Sequence, residues 1–308
     1  MTLQEKLAAA RTGAAVGPVQ SPGILRFLGR DVRAYLHRMS TQDLARLAPG
    51  ASAYAAFLDA RGHLVGEGLV AAREADLLLV VEACELEPLA AHLLRYVVAD
   101  DVRVEDASAG LRALPVLGPG GVARAQALAN ERTVVANPRR GVAAVELVAA
   151  PASAQAARDE LVARGAAELA EGDLEALRIE EGLARFGHDM DGSRLPMEAG
   201  LTAQAIHFDK GCYIGQEVVL RATVRGHLQK GLVQLALPPG AGPGDRLFAG
   251  ADEAGWVTSV AETTRGLLGL GYVRRAYWKE GTALQTAAGE ARVTKVVVHE
   301  PGQRGAAP

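Results

Sequence analysis

The first hundred residues alternate short apolar runs with amphipathic segments. The apolar runs have the length of strands, and we predict strands at residues 24–28, 54–58, 63–70, 77–81 and 102–105. Helical spacing predicts helices over 31–39, with Asp31 as its cap, and over 87–97, with Pro88 in its first turn. This order of elements predicts an α+β lobe in which two helices cover an antiparallel sheet.

The next seventy residues repeat this order. Strands are predicted at 113–117, 133–136, 142–148 and 167–169, and helices at 122–128 and 152–164. Two such units predict two lobes with a cleft between them, which is a common place for a ligand. A further helix is predicted over 173–186. Gly182 within it costs about 1 kcal/mol relative to alanine, so either the helix ends there or another group approaches its backbone closely.

The two ends of the chain have different patterns. Beyond Gly226, short apolar runs at 232–237, 255–260, 267–273 and 292–298 are separated by Gly, Pro and Asp, which predicts a small antiparallel barrel. Residues 1–22 carry an alanine-rich helix candidate and then a run punctuated by Gly and Pro. We expect this segment to be a mobile arm.

Composition narrows the class of protein. With 308 residues, 49% hydrophobic and 22% charged, the chain has the composition of a soluble protein of two or three domains. Two cysteines are too few for a disulfide framework or for a cluster site, which needs about four protein ligands. No signal peptide and no run of about 18 apolar residues is present, so we expect a cytoplasmic protein that does not enter a membrane. The net charge of -3 argues against direct RNA binding.

Residues 210–217, with the sequence KGCYIGQE, concentrate the candidate chemistry. A helix is expected to begin near Gly215, so Cys212 lies just before a helix N-terminus with Lys210 close by. Both features favour a thiolate, and we predict an accessible thiol with a lowered pKa. The alternative is a small residue packed in a tight turn. Cys84 is expected to be buried or inert, and His207 either tunes Cys212 or is a surface residue.

This motif, with Arg221 after it, resembles the signature of the YgfZ family of folate-binding proteins, which are linked to iron–sulfur cluster assembly or repair and thereby to tRNA modification. The blocks at 178–182, 186–189 and 196–198 are similar to a region shared with the related aminomethyltransferases (GcvT) of the glycine cleavage system. The resemblance runs from about Leu25 to Val298. It implies two ferredoxin-like α+β lobes, at 23–108 and 109–226, and a C-terminal β-barrel at 227–300 around a central channel.

The resemblance also implies a cofactor, tetrahydrofolate or a derivative. It places the carboxylate that accepts the pterin donors on Glu180, with Arg178 supporting it. The anionic glutamyl tail requires cations, and three candidates are Lys210, Arg221 and Arg225. The aromatic rings of Tyr213 and Phe186 either stack on the folate or pack in the core.

Two functions follow from the resemblance. One is a folate-binding accessory protein for iron–sulfur cluster assembly, with Cys212 as the functional thiol and cluster assembly or client proteins as partners. The other is a tetrahydrofolate-dependent aminomethyltransferase or another one-carbon transferase. Aminomethyltransferases carry two acids in the segment that matches residues 62–68, where this chain has Gly66 and Glu67. The missing first carboxylate argues against a working aminomethyltransferase and favours the accessory protein.

Overall fold

Three sheets organise the chain. The computed structural model describes residues 1–224 and 228–298, which form a pair of five-stranded sheets and a closed barrel of six strands. The predicted architecture, two α+β lobes and a C-terminal barrel, is confirmed.

The N-terminal segment belongs to the core. It forms helix α1 (Leu3–Thr12) and strand β1 (Ala15–Val16). Leu7 and Ala10 on α1 are fully buried, and so are both residues of β1. The expectation of a mobile arm is therefore wrong, because the small side chains that suggested a loose segment instead allow it to pack closely.

The first lobe is a five-stranded antiparallel sheet with two helices on one face. Its elements are β2 (Gly23–Leu28), α2 (Val32–Met39), β3 (Ser52–Leu58), β4 (Leu64–Ala72), β5 (Leu77–Val81), α3 (Leu86–Leu94) and β6 (Arg103–Asp106). The strand order is β3-β4-β5-β2-β6. Alternate residues serve two cores: Leu25 and Phe27 pack under the helices, whereas Ile24 joins the cluster shared with the barrel.

The second lobe repeats this plan and takes a strand from the N-terminus. Its elements are β7 (Arg112–Leu117), α4 (Pro119–Ala127), β8 (Thr133–Ala136), β9 (Ala144–Ala149), α5 (Pro151–Ala163), β10 (Ala167–Glu168) and α6 (Glu171–Glu181). The strand order is β10-β1-β7-β9-β8, with β1 parallel to β10 and antiparallel to β7. Helix α6 ends at Gly182, which has a φ of 78°, so the predicted continuation to Phe186 is wrong.

Two short helices lead into the barrel. They are α7 (Thr202–Ala205) and α8 (Gln216–Val224). The barrel strands are β11 (Lys230–Ala236), β12 (Arg246–Ala249), β13 (Asp252–Thr263), β14 (Gly266–Arg274), β15 (Ala283–Thr286) and β16 (Gly289–Val296). They close in the order β11-β14-β13-β12-β15-β16. Strands β12 and β15 were not predicted, because each has four residues and only one of them is buried.

Gly255 marks a close approach between β13 and β14. A Cβ atom at this position would lie 1.9 Å from the carbonyl oxygen of Tyr272. We expect Gly255→Ala to lower the free energy of unfolding by about 1–3 kcal/mol, as overpacking does, measured by urea denaturation. Gly242→Ala is the control, since no atom lies within 4 Å of its added Cβ. Equal effects of the two substitutions would contradict the close approach.

Candidate functional site

A charged cavity lies between the two lobes. Its volume is about 390 Å³, within the range of small-molecule sites. Strands β4 and β5 line it from the first lobe, and the β8–β9 turn and helix α6 line it from the second. The charged lining residues are Glu67, Glu82, Glu146, Glu171, Glu175, Arg139, Arg140, Arg178 and Arg185. So many charges require pairing, because an unpaired charge is costly to bury.

One deeply buried pair joins the two lobes. Glu67 on β4 is 1% exposed, and Nη1 of Arg139 lies 2.8 and 3.1 Å from its two carboxylate oxygens. Burial raises the pKa of Glu67, although Arg139 opposes the shift. Burial also disfavours the charge on Arg139, but Glu67, Tyr54 and Glu82 together outweigh this effect and raise the pKa of the guanidinium. Each charge therefore depends on the other.

Glu146 lines the cavity and, within the described part of the chain, has one unpaired carboxylate oxygen. It lies on β9 and is 3% exposed. Its Oε1 atom accepts hydrogen bonds from Asn137 Nδ2 at 2.6 Å and from Arg140 Nη2 at 2.8 Å. Its Oε2 atom is buried and has no hydrogen-bond partner among the residues that the structure describes. Since such an oxygen is costly to leave unpaired, it is a natural acceptor for a donor on a ligand.

Arg178 lines the cavity but has no donor left for a ligand. Its Nε donates to Glu175 at 2.9 Å, and Nη1 donates to Asp189 and to the carbonyl oxygen of Leu183. Nη2 donates to Glu175 and, at 2.9 Å, to Ser259 in the barrel. A guanidinium has five N–H donors, and all five are used within the protein. Arg178 therefore fastens α6 to the barrel.

Glu180 points away from the cavity. Residues 171, 174, 175 and 178 of α6 face the cavity, and Glu180 is rotated by about 200° from Arg178 around the helix. Its carboxylate accepts from Arg11 Nη2 at 2.6 Å and from the backbone nitrogen and hydroxyl of Thr264, each at 2.7 Å. Glu180 thus joins α1, α6 and the β13–β14 turn. It is not among the residues that line the cavity.

Lys210 forms hydrogen bonds with backbone carbonyl groups and does not line the cavity. Its Nζ atom donates to the carbonyl oxygens of Ser40 at 2.6 Å, Gln42 at 2.8 Å and His37. These carbonyls lie at the C-terminal end of α2, where a cation is favourable. Burial lowers the pKa of Lys210 to about 8. The ammonium therefore anchors the cysteine loop to the first lobe.

Cys212 lies at a second, shallower site. The thiol is exposed, as predicted, at a groove of about 360 Å³. The groove is lined by Tyr35, Arg38, Met39, Tyr96, Cys212, Tyr213 and Ile214, and it shares no lining residue with the cavity. Tyr213 packs beside Lys210, whose Nζ lies 5.0 Å from its ring centroid, and burial raises the pKa of Tyr213 to about 12.

Arg221, Phe186 and Cys84 line neither the cavity nor the groove. Arg221 pairs with Glu217 on α8, and both side chains are 75% exposed. Phe186 packs against the central core. Cys84 is exposed, so of the two expected outcomes, buried or inert, burial is not observed. Partial burial and the neighbouring glutamates raise the pKa of its thiol, which agrees with an inert thiol. Arg225 lies outside the described residues.

The motif glycine fits the cysteine loop against the first lobe. Gly215 has a φ of 80°, and a Cβ atom there would lie 2.6 Å from the carbonyl oxygen of Asp59 in the β3–β4 turn. On the other side of this contact, a Cβ atom at Gly62 would lie 2.8 Å from Val218. Two glycines therefore allow the loop and the turn to meet.

Comparison with known proteins identifies the family. The chain is 31% identical over 290 residues to an aminomethyltransferase of Rubrobacter xylanophilus, an alignment that covers 86% of this chain and 77% of that protein. Residues 2–137 match the GCVT N-terminal domain. The chain belongs to the aminomethyltransferase (GcvT) family.

More distant members agree over nearly the whole length. An aminomethyltransferase of Rippkaea orientalis is 25% identical, with 98% of this chain and 89% of that protein covered. The crystal structure of the glycine cleavage system aminomethyltransferase T from Bartonella henselae superposes with a TM-score of 0.78 at 18% identity, covering 97% of this chain and 90% of that one. The fold is therefore the aminomethyltransferase fold. No helix within residues 1–224 and 228–298 has the length and apolar character of a membrane span.

The position of Gly66 on β4 affects the argument about the absent carboxylate. Residues 66 and 67 are neighbours on β4, so their side chains point to opposite faces of the sheet. A Cβ atom at Gly66 would face Leu89 and Glu85, whereas Glu67 lines the cavity. A carboxylate at position 66 would therefore not point into the cavity. Its absence argues less strongly against an aminomethyltransferase than the sequence alone suggested.

Lys210→Met tests the anchoring of the cysteine loop. Methionine keeps the length of the side chain but leaves three carbonyl oxygens without their donor, so we expect the free energy of unfolding to fall by about 1–3 kcal/mol in urea titrations. Lys279→Met, at an exposed lysine of the barrel, is the matched control and is expected to have little effect. Stability unchanged by Lys210→Met would contradict the anchoring role.

Proposed function

We propose that this protein binds a reduced folate in the cavity between the lobes, with the pterin against Glu146. The unpartnered Oε2 atom of this buried carboxylate carries the proposal. One edge of a reduced pterin presents N–H and amino donors, which a carboxylate accepts as charge-assisted hydrogen bonds. The cavity volume of about 390 Å³ and the membership of the family support a ligand of this class.

The chemistry proposed for the site is tetrahydrofolate-dependent one-carbon transfer, with an aminomethyl group as the first candidate. Bound tetrahydrofolate supplies ring nitrogens that accept a one-carbon unit. Glu67 is an acid of the cavity that could hold or accept a proton, since burial raises its pKa. Arg139 orients its carboxylate through both oxygens.

Folate binding is tested by one substitution in the cavity and one outside it. Glu146→Gln replaces the unpaired oxygen or its neighbour by an amide donor, and we expect a loss of about 1.5–3 kcal/mol, or roughly tenfold or more in Kd for tetrahydrofolate. Calorimetric titration under reducing conditions measures it. Glu180→Gln is the control and should bind like the parent. If Glu180→Gln weakened binding and Glu146→Gln did not, the pterin would have to be placed at Glu180 instead. If the unsubstituted protein bound no reduced folate, the proposal would be refuted.

A second candidate function is the folate-binding accessory role in iron–sulfur cluster assembly or repair. The exposed thiol of Cys212 favours the accessory role. The groove around Cys212 is separate from the cavity, so folate binding in the cavity does not explain this residue. A single thiol can bridge to a partner's cluster or exchange with a partner's thiol, although it cannot hold a cluster alone. The KGCYIGQE motif supports this candidate from the sequence.

One pair of variants separates the two candidates. If the protein is a transferase, it should transfer the methylene carbon of the aminomethyl group from a methylamine-loaded carrier protein to tetrahydrofolate, with release of ammonia and of the free carrier, at a rate of order 1 s⁻¹. Glu67→Gln should then reduce the rate by about a hundredfold or more, whereas Cys212→Ser should leave it unchanged. Absence of turnover, together with failure of Cys212→Ser to support iron–sulfur enzymes in a strain that lacks the native protein, would select the accessory role.

A further inference from the structure

Glu85 is a buried acid that does not line the cavity. It follows β5 in a short 3-10 turn (Ala83–Glu85) and is 0% exposed. Its Oε1 atom accepts from the backbone nitrogen of Glu67 at 2.9 Å, and its Oε2 atom accepts from the backbone nitrogen of Glu82 at 3.0 Å. A single carboxyl group therefore holds the main chain of two residues that do line the cavity.

These two residues are the ones that reach across the cavity. The carboxylate of Glu67 meets Arg139 at 2.8 Å, and that of Glu82 meets Arg185 at 3.1 Å. Glu67 and Glu82 belong to the first lobe, whereas both arginines belong to the second lobe and the segment that follows it. The separation of the two acids, and hence the register of both ion pairs, depends on the backbone that Glu85 fixes.

Gly66 makes room for this carboxyl group. Gly66 does not adopt a positive φ, so its backbone conformation does not require glycine. A Cβ atom at position 66 would lie 3.1 Å from Leu89 and 3.4 Å from Oε1 of Glu85. The first distance is tighter than ordinary packing, and any larger side chain would have to share the space of the Glu85 carboxyl.

We propose that Glu85 is a positioning residue of the folate cavity. Its carboxyl group holds the backbone of Glu67 and Glu82 so that their side chains reach their arginine partners, and glycine at position 66 leaves the space that this carboxyl group occupies. The inference rests on the proposed function for the identity of the ligand, but not for the positioning itself. The titratable groups around Glu85 are Glu67, Glu82, Arg139, Tyr54 and Cys84. Burial, reinforced by the charge of Glu67, raises the pKa of Glu85 to about 9, although the two backbone hydrogen bonds and Arg139 oppose the shift.

The first test requires no ligand. In Glu85→Gln an NH2 group replaces one of the two accepting oxygens. This NH2 group faces a backbone N–H, which is also a donor, so one hydrogen bond is lost. Backbone hydrogen exchange followed by NMR should be faster at Glu67, Glu82 or both, and unchanged in the barrel. Glu87→Gln, which alters an exposed acid two residues along, is the matched control. Parental exchange at both amides in Glu85→Gln would overturn the proposal.

The second test exchanges the two positions. Gly66→Asp should lower the melting temperature of the parent, because it brings a second acid against Glu85 and crowds Leu89. In a Glu85→Ala background the same substitution refills the vacated space, so we expect a smaller loss or a gain. An equal loss in both backgrounds would show that the two side chains do not share one space and would overturn the role of Gly66.

The third test connects the positioning to folate. Calorimetric titration of Glu85→Gln with tetrahydrofolate should give a Kd about tenfold weaker than that of the parent, with unchanged stoichiometry. A merely structural role would reduce the fraction of active protein and leave Kd unchanged, which would overturn the link to the ligand. If the parent itself binds no folate, the proposed function fails, while hydrogen exchange and the positional swap still decide the role of Glu85.

Discussion

The cavity depends on the requirement that charges inside a protein be paired. Breaking a buried pair by removing one partner costs about 3–5 kcal/mol, because the remaining charge has no water to stabilise it. Glu67 and Arg139 satisfy this requirement for each other across the boundary between the lobes. Their pairing therefore couples the relative placement of two separately built sheets to the electrostatics of the site, and movement of one lobe would expose one charge of each sign.

The residues of the KGCYIGQE motif divide into those that pack and those that do not. Lys210 and Gly215 are explained by the first lobe, since one occupies the carbonyl oxygens at the end of α2 and the other lets the loop meet the β3–β4 turn. Tyr213 is buried beside them. Cys212 and Glu217 remain exposed, and no packing role accounts for them. A functional interpretation of the motif therefore rests on only a few of its residues.

Periodicity predicted the two lobes and the barrel, because apolar runs of strand length and amphipathic helices are local properties. It failed where the answer depended on neighbours distant in the sequence. Strand β1 has two residues and no pattern of its own, and its partners lie about 100 and 150 residues away. The orientation of Glu180 depends on how α6 is rotated against the barrel, which no local spacing reveals. Glu146 could have been found, since a lone acid within an apolar strand signals a buried polar group with a purpose.

The placement of β1 has a consequence for how the molecule is made. The first lobe pairs strands within residues 23–106, so its sheet can form from contiguous chain. The sheet of the second lobe cannot be completed until Ala167 has been synthesised, because β1 lies between β7 and β10 and Ala15 pairs with Ala167. Contacts so far apart in sequence carry a large loop-closure entropy and form late. The sheet of the second lobe, which forms one wall of the cavity, is therefore completed only after the N-terminal strand has paired with a strand about 150 residues further along the chain.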